Sequence, residues 1–341
     1  MRTVITAIFI FLSFGGYSQS SDKDAIIKRA TDLMDNGFPD DAIAILEEAK
    51  KQDSKDFIYD YEIGFALNIK KDYKEALKRY KMAVKYDNAT DQCYQMLGNL
   101  YDMTGDPDKA IKAYKEGLKK FPNSGRLYLE QGIIFWNQKN MDAAVSLFEK
   151  GIEVDPTYPS NYYNLAKSYL NSEEKAWGMV YGEQFMNLER NTLRTENMSK
   201  WLYDAYKSGI NIKSDTTLTV SFSRNVLITV KGMDSLLNIK NMFGMTVYEP
   251  VLSLSVVGEK EITINSLDRI RARFIKTYFS RNFDKKYPVS IFDLNKKIID
   301  AGHYEAYNHW LLVKGDEEAF FQWQSENEEK WTNFVEWYNK N

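Results

Sequence analysis

Between Lys23 and Leu170 the apolar positions fall into short blocks with helical spacing, separated by polar turns. The blocks keep a common register at steps of 34 residues. Ala42, Ala76, Ala110 and Ala144 form one small-residue column. Ala30, Gly64, Gly98, Gly132 and Ala166 form a second, and Ala49, Ala83, Gly117 and Gly151 a third. Large apolar residues fill Leu33, Leu67, Tyr101, Phe135 and Tyr169, and again Leu46, Tyr80, Tyr114 and Phe148. A turn column begins at Gly37, Lys71, Gly105 and Lys139, and the last two units close on Pro122 and Pro156. Small residues let two helix axes approach closely while large neighbours fill the remaining space. One such unit cannot bury its apolar face alone, but a stack can. The pattern predicts helix–turn–helix units through Pro156, a fifth first helix over Pro159–Leu170, and a closing helix over Ser172–Arg190. In that last segment Gly178 and Gly182 replace the expected alanine and aromatic.

From Asn191 the register is lost. "RNTLRTENMSK" reads as a polar junction, and the following segment as a helix capped by Thr195 and stopped by Gly209. Asp215–Gly232 alternates and is rich in β-branched residues, so one or two short strands are expected, with a turn near Arg224 and Asn225. Tyr248–Ile264 reads either as a strand pair or as a helix followed by a strand. Beyond it the chain is helical. Asn265 or Ser266 caps a helix whose apolar face carries Ile270, Phe274, Ile275 and Tyr278. Pro288 starts the next helix, Gly302 ends it, and Glu317 and Glu318 open the last one, favourable against its dipole.

Period, small columns, aromatic columns and closing prolines together resemble the tetratricopeptide repeat family over Lys23–Pro156. The resemblance implies an all-α solenoid, a helix–turn–helix superhelix, followed here by a mainly helical C-terminal domain with a small β element. It also implies a concave groove lined by the first helix of each repeat. The inner positions would then be Tyr61, Phe65 and Asn68, then Gln92, Gln95, Asn99 and Asp102, then Arg126, Leu129, Ile133, Trp136 and Asn137, with Tyr163 and Lys167 from the closing pair. Aromatic anchors with carboxamides between them suit an extended peptide or a partner helix. Some family members hold a C-terminal carboxylate in a Lys–Asn–Arg clamp. Here Ile27, Thr31 and Phe65 occupy clamp positions and only Asn99 fits, so that activity is not expected. The region after residue 190 resembles the downstream halves of exported tetratricopeptide proteins of Gram-negative bacteria of the Bacteroidota type.

Arg2, the apolar run Thr3–Phe14, and small Gly16 and Ser18 before Gln19 form an export-leader pattern, expected to be removed between Ser18 and Gln19. The run is shorter than the roughly 20 residues a bilayer span needs. Cys93 is the one cysteine of the 341 residues, so a lipoprotein, an internal disulfide and a cysteine-rich metal site are not expected. The organisation expected is a signal peptide over 1–18, a repeat array over 19–190 and a helical domain over 191–341, in a periplasmic or secreted protein. A net charge of −3 provides no global attraction to nucleic acid or an anionic membrane. His303 and His309 lack metal-site spacing, and nucleophile-elbow, phosphate-loop and dinucleotide motifs are missing, so neither catalysis nor a cofactor is expected. Phe320, Trp323, Phe334 and Trp337 fall near helical spacing and read as core. The expectation is a non-enzymatic protein- or peptide-binding scaffold of the cell envelope, with an accessory role in glycan or polymer handling as the alternative.

Overall fold

The computed structural model describes residues 15–214, 217–223 and 242–340, with side chains from residue 22. The leader run Thr3–Phe14 and the turn expected near Arg224 and Asn225 lie outside the described residues. The chain divides into two compact units, Met1–Gln138 and Lys139–Asn341. The division falls inside the fourth repeat, within the segment that the repeat pattern treats as one array.

The first unit carries α1 (Gly15–Asp35), α2 (Pro39–Gln52), α3 (Phe57–Ile69), α4 (Tyr73–Ala83), α5 (Asp91–Met103), α6 (Pro107–Lys120) and α7 (Gly125–Asn137). The small-residue columns are its packing seams: Ala30, Ala42, Ala76, Ala83 and Ala110 have no exposed surface. In the second and third repeats, the glycine of the second column seats the tyrosine of its own repeat. A Cβ on Gly98 would stand 2.1 Å from the Tyr114 ring, and one on Gly64 would stand 2.8 Å from Tyr80. The turn column is equally regular. Gly37, Lys71, Gly105 and Lys139 all have φ between 61° and 86°, the left-handed region that reverses the chain between paired helices. Asp72, Asp106 and Asn140 follow as N-caps, accepting from the backbone N–H of Glu75, Lys109 and Ala143 at 3.2–3.3 Å. Asp60, fully buried, anchors α3 to α2 and α4 through Lys50 at 2.7 Å, Arg79 at 3.0 Å and Tyr86 at 2.7 Å. Burial opposes its charge, but these donors hold its carboxyl below the usual range.

The second unit begins with α8 (Met141–Val154), α9 (Pro159–Leu170), α10 (Lys175–Leu188) and α11 (Leu193–Gly209). The expected polar junction is therefore mostly helix. Its cap is Thr192, with Thr195 three residues on completing a reciprocal capping box. Gly182 departs from the repeat pattern because α11 takes the aromatic's place: a Cβ there would meet Met198 Sδ at 2.8 Å and Leu202 at 2.9 Å. Strands Ile210–Ser214 and Thr217–Val220 pair antiparallel, the first starting earlier than the alternation suggests. Tyr248–Ile264 contains neither a strand pair nor a following strand: a π-helical turn, Gly244–Tyr248, runs into the helix Glu249–Val256. The helix Ile264–Ser280 is capped by Thr263, not Asn265 or Ser266, and Ser266 closes a second capping box. Ser290–Asp300 ends before Gly302 at φ 79°. Then come Tyr304–Leu312 and two helices, Glu317–Glu326 and Glu328–Tyr338, where the sequence suggests one. Among the described residues no helix is long and apolar enough to cross a membrane.

One polar knot sits inside this core. Arg271, 5% exposed, donates to Glu183 at 2.6 Å, Tyr206 at 2.9 Å and Asn308 at 2.6 Å, and Tyr307 donates to the same Glu183 oxygen at 2.9 Å. Burial disfavours the guanidinium, but Glu183, Tyr206 and Tyr304 together outweigh it and hold the Arg271 pKa above its ordinary value. Burial pushes the Tyr248 and Tyr307 hydroxyls far above their ordinary value.

Three stability changes should be measurable by urea unfolding of the full chain. Lys71→Gly should stabilise by about 0.5–1 kcal/mol, because glycine accepts the left-handed turn without a Cβ penalty. Gly98→Ala should destabilise by about 1–3 kcal/mol by displacing the Tyr114 ring. Arg271→Leu should cost about 3–5 kcal/mol by stranding the Glu183 charge, and adding Glu183→Leu should recover most of the loss.

Candidate functional site

In the first unit, α3, α5 and α7 repeat the same positions and present one face. Phe65 (36% exposed), Gln92 and Asn137 reach solvent there. Asn68, Gln95, Asn99, Asp102, Arg126, Ile133 and Trp136 are half-buried. Two predicted positions serve the interior more than the surface. Leu129 is 5% exposed and belongs to the core. Tyr61 is half-buried with its ring edge-on to Phe57 at 6.2 Å and Tyr80 at 6.1 Å.

The polar residues of α5 and α7 are joined in one network. Gln95 Nε2 donates to Glu130 at 2.6 Å, while its carbonyl oxygen accepts from Arg126 Nη1 at 3.0 Å. Arg126 also lies 3.7 Å from the Asp91 carboxylate, which accepts from Ser124 Oγ at 2.6 Å. The Tyr114 hydroxyl rises from the core and donates to Asn99 Oδ1 at 2.6 Å. Burial pushes the Glu130 carboxyl upward, opposed by donation from Gln95 and Asn99. The carboxamides are thus held in fixed orientations, each with hydrogen-bonding capacity left over.

Glu62 and Glu130, which share a column two repeats apart, were not among the residues singled out from sequence. Both are half-buried, and burial raises both carboxyls. A glutamate on a helix reads as solvated surface. Its recurrence at a first-helix position beside apolar columns was the one available signal.

Tyr163 and Lys167 belong to the second unit. Tyr163 is enclosed by Phe185 at 5.1 Å, Trp201 at 5.9 Å and the Arg194 guanidinium at 5.2 Å. Lys167 is exposed on the rim of an open groove of about 510 Å³ that Asn171, Lys175, Trp201 and Asp204 also line.

Among the described residues, no group of three or more His, Cys, Asp or Glu side chains is placed to hold a metal ion. His309 is buried against Trp323 at 4.1 Å, with Nδ1 2.8 Å from the Glu305 carbonyl and Nε2 3.0 Å from Asn265 Oδ1. Burial lowers its pKa. His303 packs on Trp337 at 5.2 Å. Phe320, Trp323 and Phe334 are buried and Trp337 is half-buried, as their spacing suggested. The cavity beside Arg271 measures about 10 Å³, room for one water molecule.

A family model described as the tetratricopeptide repeat matches residues 27–91 and 96–159. No curated protein matches the chain. Among solved structures, PilF of Pseudomonas aeruginosa is 17% identical, with 55% of this chain and 86% of that one covered, at a TM-score of 0.45. TTC0263 of Thermus thermophilus is 17% identical over 52% and 98%, at 0.43. MamA of Desulfovibrio magneticus RS-1 is 17% identical over 49% and 94%, at 0.38. The matched residues are the ones whose glycine seats and left-handed turns are described above, so residues 27–91 and 96–159 carry tetratricopeptide repeats.

Proposed function

We propose that the protein is a non-enzymatic scaffold whose face on α3, α5 and α7 holds an extended peptide or protein segment. The observation that carries this reading is the combination on that face of solvent-facing Phe65 with the fixed row Gln95, Arg126 and Asn99. An exposed aromatic supplies buried area on binding, and carboxamides pair with the partner's main chain. Because Gln95 and Asn99 are already oriented, less side-chain entropy is lost when a segment docks. We further propose that the chain is exported and works in the cell envelope, a reading supported by Arg2, the apolar run Thr3–Phe14 and small Gly16 and Ser18.

The test is site-specific photocrosslinking in cells. A photoreactive residue at position 65 should yield a discrete crosslinked partner, and one at exposed Lys115 on α6 should not. Equal labelling from both positions, or none from position 65, would refute the assignment of the face.

A further inference from the structure

Repeats of one geometry can be compared position by position, and the second repeat leaves undone what the later ones complete. On α7, Glu130 is met by Gln95 and Asn99 of the preceding first helix. The residue in the same place on α3 is Glu62, and the preceding helix offers it Ile27 where Gln95 stands and Thr31 where Asn99 stands. Isoleucine cannot donate, and the Thr31 hydroxyl donates instead to the Ile27 carbonyl at 3.0 Å. Among the described residues, Glu62 has neither a hydrogen-bond nor an ion-pair partner; its carboxylate is half-buried and unanswered.

The same comparison applies one layer down. Tyr114 donates to Asn99, whereas the position corresponding to Asn99 in the repeat of Tyr80 holds Phe65, which cannot accept. The Tyr80 side chain has no exposed surface, and its hydroxyl has no partner among the described residues. Its ring lies edge-on to Tyr61 at 6.1 Å. A buried hydroxyl without a partner is unfavourable, and a desolvated carboxylate more so. Glu62 lies one helical turn from Phe65, the exposed aromatic of this face, and Asp102 adds a carboxylate on the next first helix with no cation paired to it among the described residues. Arg126, the cation of the face, is committed to Gln95 and Asp91.

We propose that Glu62 is the specificity residue of the array, and that it takes an arginine or lysine side chain of the bound segment, with Phe65 packing on the aliphatic stem of that side chain. This rests on α3, α5 and α7 being the binding face, and it adds that the segment is basic. An ammonium or guanidinium is the group that best satisfies an unpaired carboxylate, and charge-assisted bonds are the strong ones at a partly dry site.

The experiment pans a synthetic random octapeptide library on the immobilised full chain and on its Glu62→Gln variant. The wild type should retain a pool at least three-fold enriched in arginine and lysine, and Glu62→Gln should retain a pool without that excess. Thermal unfolding of Glu62→Gln should be unchanged or raised, since a desolvated charge is removed, so a lost preference is not a folding defect. A wild-type pool with no basic excess, or the same excess in Glu62→Gln, overturns the assignment while leaving the binding face standing. A pool no larger than on a bare matrix, together with no crosslink from position 65, overturns both.

Discussion

The first unit depends on one close approach, a tyrosine ring laid on the bare backbone of a glycine in the partner helix. At Gly98 any added carbon would overlap the Tyr114 ring, and at Gly64 it would press on Tyr80. This contact sets the distance between the two helices of a repeat, and so it also sets which residues of the first helix point outward. It has a second consequence. A tyrosine that fills such a seat is held with its hydroxyl directed toward the first-helix face. That end needs a partner, because burying an unpaired hydroxyl is unfavourable. Packing and polar chemistry are therefore tied together by the same ring.

The repeats are one experiment performed with different substituents. Asn99 answers Tyr114 and Gln95 answers Glu130, so the α5–α7 layer is closed and rigid. Phe65, Ile27 and Thr31 stand in the corresponding places of the α3 layer and answer neither Tyr80 nor Glu62. Natural proteins place groups whose needs the fold does not meet where a ligand will meet them, and they accept lower stability there. The turns carry another such departure, with less evident purpose. Lys71 and Lys139 hold left-handed backbone at positions where Gly37 and Gly105 do so without strain.

The array was legible from sequence because its packing demands residues of one size at one interval, which here places small residues in three registered columns. The positions of the turns were legible for the same reason, though not their left-handed backbone. Helix starts in the second unit were displaced by about three residues, since a reciprocal box such as Thr192 with Thr195, or Thr263 with Ser266, contains two residues that each qualify as a cap. The strands were placed late because Ile210–Ser214 follows α11 directly, with no intervening loop. Among the site residues, Phe65, Gln95 and Asn99 were readable from their columns. Tyr61 and Leu129 occupy the same column and turn inward because apolar side chains find neighbours there. Glu62 and Glu130 were not readable, since partial burial separates them from ordinary surface acids and burial is not a property of a single sequence position.

The second unit shows the opposite treatment of buried charge. Arg271 stands within a shell of Glu183, Tyr206, Tyr304, Tyr307 and Asn308, contributed by helices distant in sequence. Such a centre adds little net stability over an apolar replacement, but it penalises any arrangement that separates its members. It joins α10, the closing helix of the repeats, to Ile264–Ser280 and Tyr304–Leu312, so the end of the solenoid is specified by a polar contact where the repeat sequence has lapsed. An array without a following repeat would expose the apolar face of its last helix. Here Gly182 lets α11 approach that face and the buried ion pair fixes what packs beyond it. The same chemistry, a carboxylate and a cation out of water, is closed in the second unit and left open at Glu62 in the first. Closure makes it a structural element, and the unpaired state is what leaves it available for recognition.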